Sequence, residues 1–380
     1  MPDKLSRGGP IACEPPFVEE LRRQEFTIDE EVYVHAGEPE KISLSDRVLR
    51  VLRTASRFRR KLKAARFDIV HLNTSFDPKA VLRDVVTLFF LRTFDVKVFL
   101  KFHGSDAALL QTKNPVLKLS GRALLKRADG IGVLSSEEKE NFVRAGVDER
   151  KVFIVKNVVQ TPMLPDARQR RAFYDEMNIN ADVPVLLFIA RFIPAKGLLD
   201  VIEACRLLRD RNHSFVLFCV GDGEAMAEAK AKVKKEKLQE CVRFCGFIPE
   251  AETIAFYANS TMLLFPTYHY EGFPMVIFNA VAAGTPVITT RIRAAADYLN
   301  EPDNCLWTKP KNPEMLAEKI IYLLQHSEAR EQMARHNQEK AQQFTARAVT
   351  PEYVEIYRQM MEGETRGHSN NSSGSAMFTA

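Results

Sequence analysis

Apolar residues along this chain gather in short runs rich in Val, Ile, Leu and Phe. Between the runs they recur at helical spacing. In the first half, Phe67–Asn73 (FDIVHLN), Val96–Gly104 (VKVFLKFHG), Gly130–Ser135 (GIGVLS) and Val152–Asn157 (VFIVKN) read as buried parallel strands. Helical stretches separate them, such as Ser135–Gly146, which opens on a capping serine and closes on glycine. The second half repeats the rhythm with VPVLLFIAR, SFVLFCVGDG, VRFCGF, TMLLFP and PVITT. Strand–helix alternation in both halves predicts an α/β chain of two doubly wound domains. The join falls near Gln160–Asp182, where prolines and charges replace the strand pattern. The start is irregular. Gly8 and Gly9 precede a helix with no apolar strand before them, so the opening strand of the first sheet is expected to be missing. A helix is expected over 346–362, and the Gly/Ser/Asn-rich residues 363–380 read as a disordered tail.

Composition adds limits. A chain of 380 residues with 46% hydrophobic residues can bury two cores. The net charge of +5 suits an anionic ligand or surface without demanding either, and no basic–aromatic module points to nucleic acid. None of the six cysteines forms a Cys-x-x-Cys pair, which fits reduced thiols in a cytoplasmic setting. No signal peptide is read at the start, and the run near Val85–Leu91 is too short to span a bilayer.

Chemistry is concentrated at strand ends. In YEGFPMVIFNAVAAG a turn leads into an apolar helix, whose free N–H groups and dipole favour an anion such as a pyrophosphate. Glu271 in that turn would repel an anion unless it is aimed at hydroxyls, which points to a ligand carrying both: a nucleotide sugar. Asn279, eight residues on, returns to about the same side after roughly two turns. Arg191 and Lys196 follow a strand, as a fork and a point charge able to neutralise a diphosphate leaving group. No Asp-x-Asp and no His/Cys set with ligand spacing occurs, so these cations are expected to stand in for a metal, and no cofactor is implied. Gly221 lies in a glycine-bounded strand end, VGDGE. KFHGSD places His103 and Asp106 at the carboxyl edge of the first sheet, with Asp106 read as a helix cap.

Taken in order, GG, HGSD, VLSSEEK, VFIVKNVV, ARFIPAKG, VGDGE, VRFCGFIP and LLFPTYHYEGFPMVIFNAVAAGTPVI resemble the retaining nucleotide-sugar glycosyltransferases of family 4, over nearly the whole chain and most strongly from Pro184 to Thr290. The resemblance implies a GT-B fold, two Rossmann-like domains with a cleft between them: an acceptor-side domain over 1–162, a donor-binding domain over 163–345, and the 346–362 helix crossing back to the first. It implies sugar transfer from a nucleotide sugar to a glycan or lipid-linked acceptor hydroxyl, in cell-surface polysaccharide or glycolipid assembly. By residue, it implies Gly8 and Gly9 beside the donor phosphates, His103 near the reacting carbon, Arg191 and Lys196 on the diphosphate, and Glu271 on a sugar hydroxyl. Backbone groups of Gly272, Phe273, Pro274, Met275 and Val276 would cap the distal phosphate, and Gly221 would lie along the donor. The family's ribose-binding Glu falls on Asn279, a departure that predicts a weaker or altered nucleotide grip. A second departure is Asn157-Val158, where the family has Asn-Gly.

Two rivals follow. A catalytically impaired relative would bind nucleotide, glycan or a partner enzyme without turnover. A dinucleotide oxidoreductase is disfavoured, since no Gly-x-Gly-x-x-Gly follows a strand. Residues 47–66 carry nine basic and no acidic side chains, with Val48, Leu52, Ala55, Leu62 and Ala65 as an apolar stripe. This helix can pack its stripe inward, meet anionic lipid with its basic rim, or do both, giving a peripheral contact at the cytoplasmic face.

Overall fold

Each apolar run becomes a parallel strand because its side chains are covered on both faces, and each amphipathic stretch becomes one of the helices that cover it. This computed structural model describes residues 9–32, 43–362 and 376–379. The chain forms two compact units, Met1–Val158 with Ala346–Ala380, and Val159–Thr345.

The first unit contains α1 (Gly9–Arg23), β1 (Thr27–Glu30), α2 (Leu44–Ala64), β2 (Ile69–Phe76), α3 (Pro78–Leu91), β3 (Lys97–Ser105), α4 (Pro115–Arg127), β4 (Gly130–Val133), α5 (Ser136–Arg144) and β5 (Val152–Ile154). The second contains α6 (Ala167–Glu176), β6 (Val185–Ile189), α7 (Leu198–Asp210), β7 (Val216–Val220), α8 (Met226–Lys235), β8 (Val242–Gly246), α9 (Glu250–Ala258), β9 (Met262–Phe265), α10 (Met275–Ala282), β10 (Val287–Thr290), α11 (Arg293–Tyr298), β11 (Leu306–Thr308), α12 (Pro313–Gln325) and α13 (Ser327–Ala341). The chain then returns to the first unit with α14 (Ala346–Glu362) and β12 (Ala376–Thr379).

The first sheet runs β1-β12-β2-β3-β4-β5. Residues two apart share a face. Val70, Leu72, Val98, Leu100 and Phe102 therefore join Phe58 of α2, Leu88 of α3, Leu124 of α4 and Phe142 of α5 in one apolar cluster. The opposite face carries His71, Asn73, Phe99, Lys101 and His103, with Asn73 in register with Lys101. Phe17 of α1 and Tyr353 and Tyr357 of α14 pack on it; the Phe17 and Tyr353 rings are 4.6 Å apart.

Three expectations change here. Residues 376–379, read as part of a disordered tail, form β12, hydrogen-bonded in parallel to β1 and β2. A doubly wound sheet normally puts its first strand between its second and a later one; here β12 holds that position. AMFT and the equally unforeseen β1, TIDE, are too short to show a pattern, and their pairing depends on partners far away in sequence. The remainder of the tail, 363–375 and residue 380, lies outside the described residues, as do residues 1–8. Third, the apolar stripe of α2 divides: Ala55, Phe58 and Leu62 are buried, whereas Val48, Leu49 and Leu52 are exposed and Ala65 follows the helix in solvent.

The second sheet runs β11-β10-β9-β6-β7-β8, all pairs parallel. Its first strand in sequence, β6, is central. The chain winds outward through β7 and β8, crosses back, and winds outward again through β9, β10 and β11. The direction reverses between β6 and β9, which is the point on the carboxyl edge where a sheet of this kind forms its ligand crevice.

Candidate active site

The β6 and β9 loops carry the cations and the carboxylate that the sequence singled out. After β6 the chain passes Arg191, makes one tight turn over Pro194–Lys196, and enters α7 through Gly197 at φ +85°. A side chain at Gly197 would meet the Pro266 carbonyl oxygen at 2.7 Å, so the loop can lie against the end of β9 only because the residue is glycine. The β9 loop is then fastened to that turn. Tyr268 N–H and Thr267 Oγ1 donate to the Ala195 carbonyl at 2.8 and 3.2 Å, and Tyr268 OH donates to the Pro194 carbonyl at 3.0 Å. This brings Glu271 against Lys196 as a largely buried ion pair.

Positive charge accumulates at this crevice. Burial and the Arg191 charge push Lys196 down to about 7; the touching Glu271 carboxylate favours the ammonium form and opposes that shift. His269 is lowered by burial and then by Lys196, Arg191 and Arg293, so four basic side chains share one field. Arg191 is exposed and makes no ion pair among the described residues.

Helix α10 starts at Met275, with Pro274 as its N-cap residue, and its first turn aims backbone N–H groups toward the same end of the sheet. The Gly272 carbonyl accepts from Ala294 N–H at 3.4 Å. Phe273 stacks on Phe278 at 3.8 Å and packs against Phe344, so its ring anchors the turn from below. Met275 and Val276 form the first helical turn. Gly221 is required by the backbone at the strand end. At φ +130° a side chain there would fall 1.9 Å from the Ala190 carbonyl, so this glycine lets the β7 loop support the backbone that carries Arg191. Asn279 lies one turn along α10, and its Nδ2 donates to Glu250 Oε1 at 2.8 Å.

Sequence reasoning missed His269, Arg293 and Glu250. Arg293 had one local signal, a basic residue three positions after a strand, but its left-handed backbone (φ 31°) and its guanidinium 5.3 Å from the Tyr270 ring centre are tertiary facts.

His103 belongs to the first unit. Its Nε2 is 3.0 Å from Asn73 Oδ1 and 3.3 Å from Glu14 Oε1. Two acceptors on one nitrogen place the proton on Nε2 and leave Nδ1 as the acceptor nitrogen. Burial lowers the His103 pKa, only partly offset by Glu14, so the ring is neutral near pH 7. Glu14 itself bonds Lys101 Nζ at 2.6 Å. Cys13, Glu14 and His103 offer ligand atoms within 4.8 Å of one another. They do not suit a metal ion: the Lys101 ammonium already supplies the cation on Glu14, and burial pushes the Cys13 thiol well up, disfavouring thiolate. Asp106 caps the turn after β3, accepting from Ala108 N–H at 3.0 Å. Gly9 opens α1, and Gly8 lies outside the described residues.

The family model "Glycosyltransferase Family 4" matches residues 13–161, and "Glycosyl transferases group 1" matches 169–340. A curated relative, the N,N'-diacetylbacillosaminyl-diphospho-undecaprenol alpha-1,3-N-acetylgalactosaminyltransferase of Campylobacter jejuni, is 25% identical over 60% of this chain. The match spans 60% of that relative's length. A glycosyltransferase structure from Rickettsia africae superposes with a TM-score of 0.75 at 19% identity, covering 96% of this chain and 98% of the other. Anabaena HepE in complex with UDP-glucose gives 0.75 at 17% identity, covering 93% and 97%. These two likenesses establish the fold as GT-B.

Proposed function

The chain belongs to the group 1, family 4 glycosyltransferases, and from that premise we propose that it transfers a sugar from a nucleotide-sugar donor to an acceptor hydroxyl. The observation that carries the reading is the meeting of Arg191, Lys196 and Glu271 at the β6/β9 reversal of the second sheet.

The chemistry follows from charge. In the transfer, the bond between the anomeric carbon and the distal phosphate oxygen breaks. A bond from that carbon to the acceptor oxygen forms, and the acceptor proton leaves with the diphosphate. Negative charge grows on the diphosphate as this happens. Arg191, Lys196 and the first turn of α10 (Met275, Val276, with Gly272, Phe273 and Pro274 shaping the approach) meet that charge with fixed positive groups. Glu271 accepts from a sugar hydroxyl and favours the charged form of Lys196. Neutral His103, with Nδ1 as acceptor, takes a hydroxyl near the reacting carbon. In this reading the cations make a divalent metal unnecessary, and configuration at the anomeric carbon is retained.

The acceptor is read as lipid-linked, in cell-surface glycan assembly, because the Campylobacter relative is named for a diphospho-undecaprenol substrate and because of the surface of α2. Arg57 and Lys61 pair with Glu31 and Asp29, whereas the first half of the helix presents Arg47 and Arg53 beside exposed Val48, Leu49 and Leu52. The neighbouring α3 and α4 expose Leu82, Phe89, Val116 and Leu119. An apolar strip with a basic rim suits the headgroup region of an anionic bilayer. No helix among the described residues is long and apolar enough to cross a membrane.

The test is incubation with a panel of uridine, guanosine, adenosine and thymidine diphosphate sugars, with undecaprenyl-linked acceptors, with and without EDTA. Nucleoside diphosphate release that survives EDTA and is lost in Lys196→Ala and Glu271→Ala is the expected result. Equal, minimal release by wild type and Glu271→Ala would instead favour a non-catalytic relative, the reading to which the Asn279 departure points. Loss of turnover in EDTA would remove the metal-free mechanism.

A further inference from the structure

The amide at 279 does not stand alone: it is joined to a carboxylate from the preceding helix. Asn279 Nδ2 donates to Glu250 Oε1 at 2.8 Å. Glu250 is the first residue of α9 and follows the Gly246–Pro249 loop at the end of β8, beside the crevice edge of the sheet. Asn279 sits four residues past the start of α10, about 6 Å along the helix axis from the end that faces the diphosphate.

An ionised carboxylate only accepts hydrogen bonds and has room for about four. Asn279 uses one. The rest of Glu250's acceptor capacity makes an acceptor-rich edge, and neighbouring hydroxyls are the ligand groups that donate two parallel bonds to such an edge. A second carboxylate at 279 would face Glu250 at hydrogen-bonding distance, and the two would repel. An amide there instead steadies the carboxylate. Glu250 is partly desolvated, and burial raises its pKa while Asn279 pulls it back.

We propose that Glu250, oriented by Asn279, is the residue that accepts the ribose 2′- and 3′-hydroxyls of the nucleoside diphosphate, so that the diol-binding carboxylate of this chain comes from α9. The proposal rests on the reading of the second unit as the nucleotide-sugar site. It makes the pair a determinant of selection for ribonucleotides over 2′-deoxyribonucleotides.

The test is calorimetric titration of the full chain with UDP, GDP and ADP and with their 2′-deoxy counterparts. The base that binds is expected to show a ribo-over-deoxy preference on the order of tenfold. In Glu250→Gln the preference falls close to one, and Glu250→Asp restores part of it, while melting temperatures without ligand stay near wild type. If Glu250→Gln weakens ribo and deoxy ligands equally, the pair is only a tie between two helices and the proposal is overturned. It is equally overturned if the preference survives Glu250→Gln or is absent from wild type. If none of the six diphosphates binds wild type, the nucleotide reading falls and takes this proposal with it.

Discussion

Glu14 of α1 and Lys101 in the middle of β3 form a buried ion pair, Oε1 to Nζ 2.6 Å, with side chains 0% and 2% exposed. The same carboxylate oxygen lies 3.3 Å from His103 Nε2, so one anion both neutralises a buried lysine and orients the histidine. Burial alone would raise the Glu14 pKa; Lys101 and then His103 outweigh it and hold the carboxylate well below its ordinary range.

Removing one member strands the other charge in the core. Glu14→Ala or Lys101→Met alone is expected to cost about 3–5 kcal/mol, and the double replacement Glu14→Met/Lys101→Met much less than the sum. Urea unfolding of the four proteins checks this. The pH sign is fixed by the lowered carboxylate: its stabilisation is complete above the unfolded glutamate pKa, about 4.3, and is lost as pH falls below it through the depressed folded value. Wild type is therefore expected to lose stability in acid more steeply than the double replacement, read as melting temperature between pH 3 and 6.

Lys196 gives a second pH dependence. With its pKa lowered to about 7, part of the population is neutral at pH 7.5, and an anionic diphosphate draws a proton onto it. Nucleoside diphosphate binding is expected to take up protons at pH 7.5 and to weaken as pH rises through 8. Titrations in buffers of different ionisation enthalpy measure the uptake. Glu271→Gln removes the charge that opposes the downward shift, so it is expected to increase the uptake; a decrease would show that Glu271 is not the partner that matters.

Gly221→Ala sets a side chain against the Ala190 carbonyl at a backbone angle of +130°. A loss of about 1–3 kcal/mol is expected, with weaker diphosphate binding because the Arg191 backbone must move. Gly246→Ala is the control. It also has a positive φ, +71°, but nothing lies within 4 Å of the added carbon, so it carries backbone strain without displacing Arg191. Thermal melts with and without diphosphate separate the two.

Sedimentation with anionic vesicles tests the exposed strip. Binding is expected to fall about fivefold for each of Arg47→Gln and Arg53→Gln and to weaken with salt. Val48→Ser/Leu52→Ser should weaken it with little change in stability, since both side chains are exposed. Equal binding by all variants would remove the membrane contact.

Periodicity in the chain was enough for the strands β2 to β10, which form short, strongly apolar runs, and for the loops that carry Arg191, Lys196 and Glu271. These are local properties: a run of branched apolar residues between turn formers has few other stable fates, and a cation after such a run comes to the sheet's carboxyl edge. What the sequence alone could not determine was which distant groups meet. Glu14 finds Lys101 across 87 positions, Asn279 finds Glu250 across 29, and four residues near the C-terminus become a strand between β1 and β2. Burial decided the first of these, the Glu14–Lys101 pair. A charge or an unpaired backbone group withdrawn from water takes whichever partner the fold brings within reach, and that reach is set by the packing of helices on sheets.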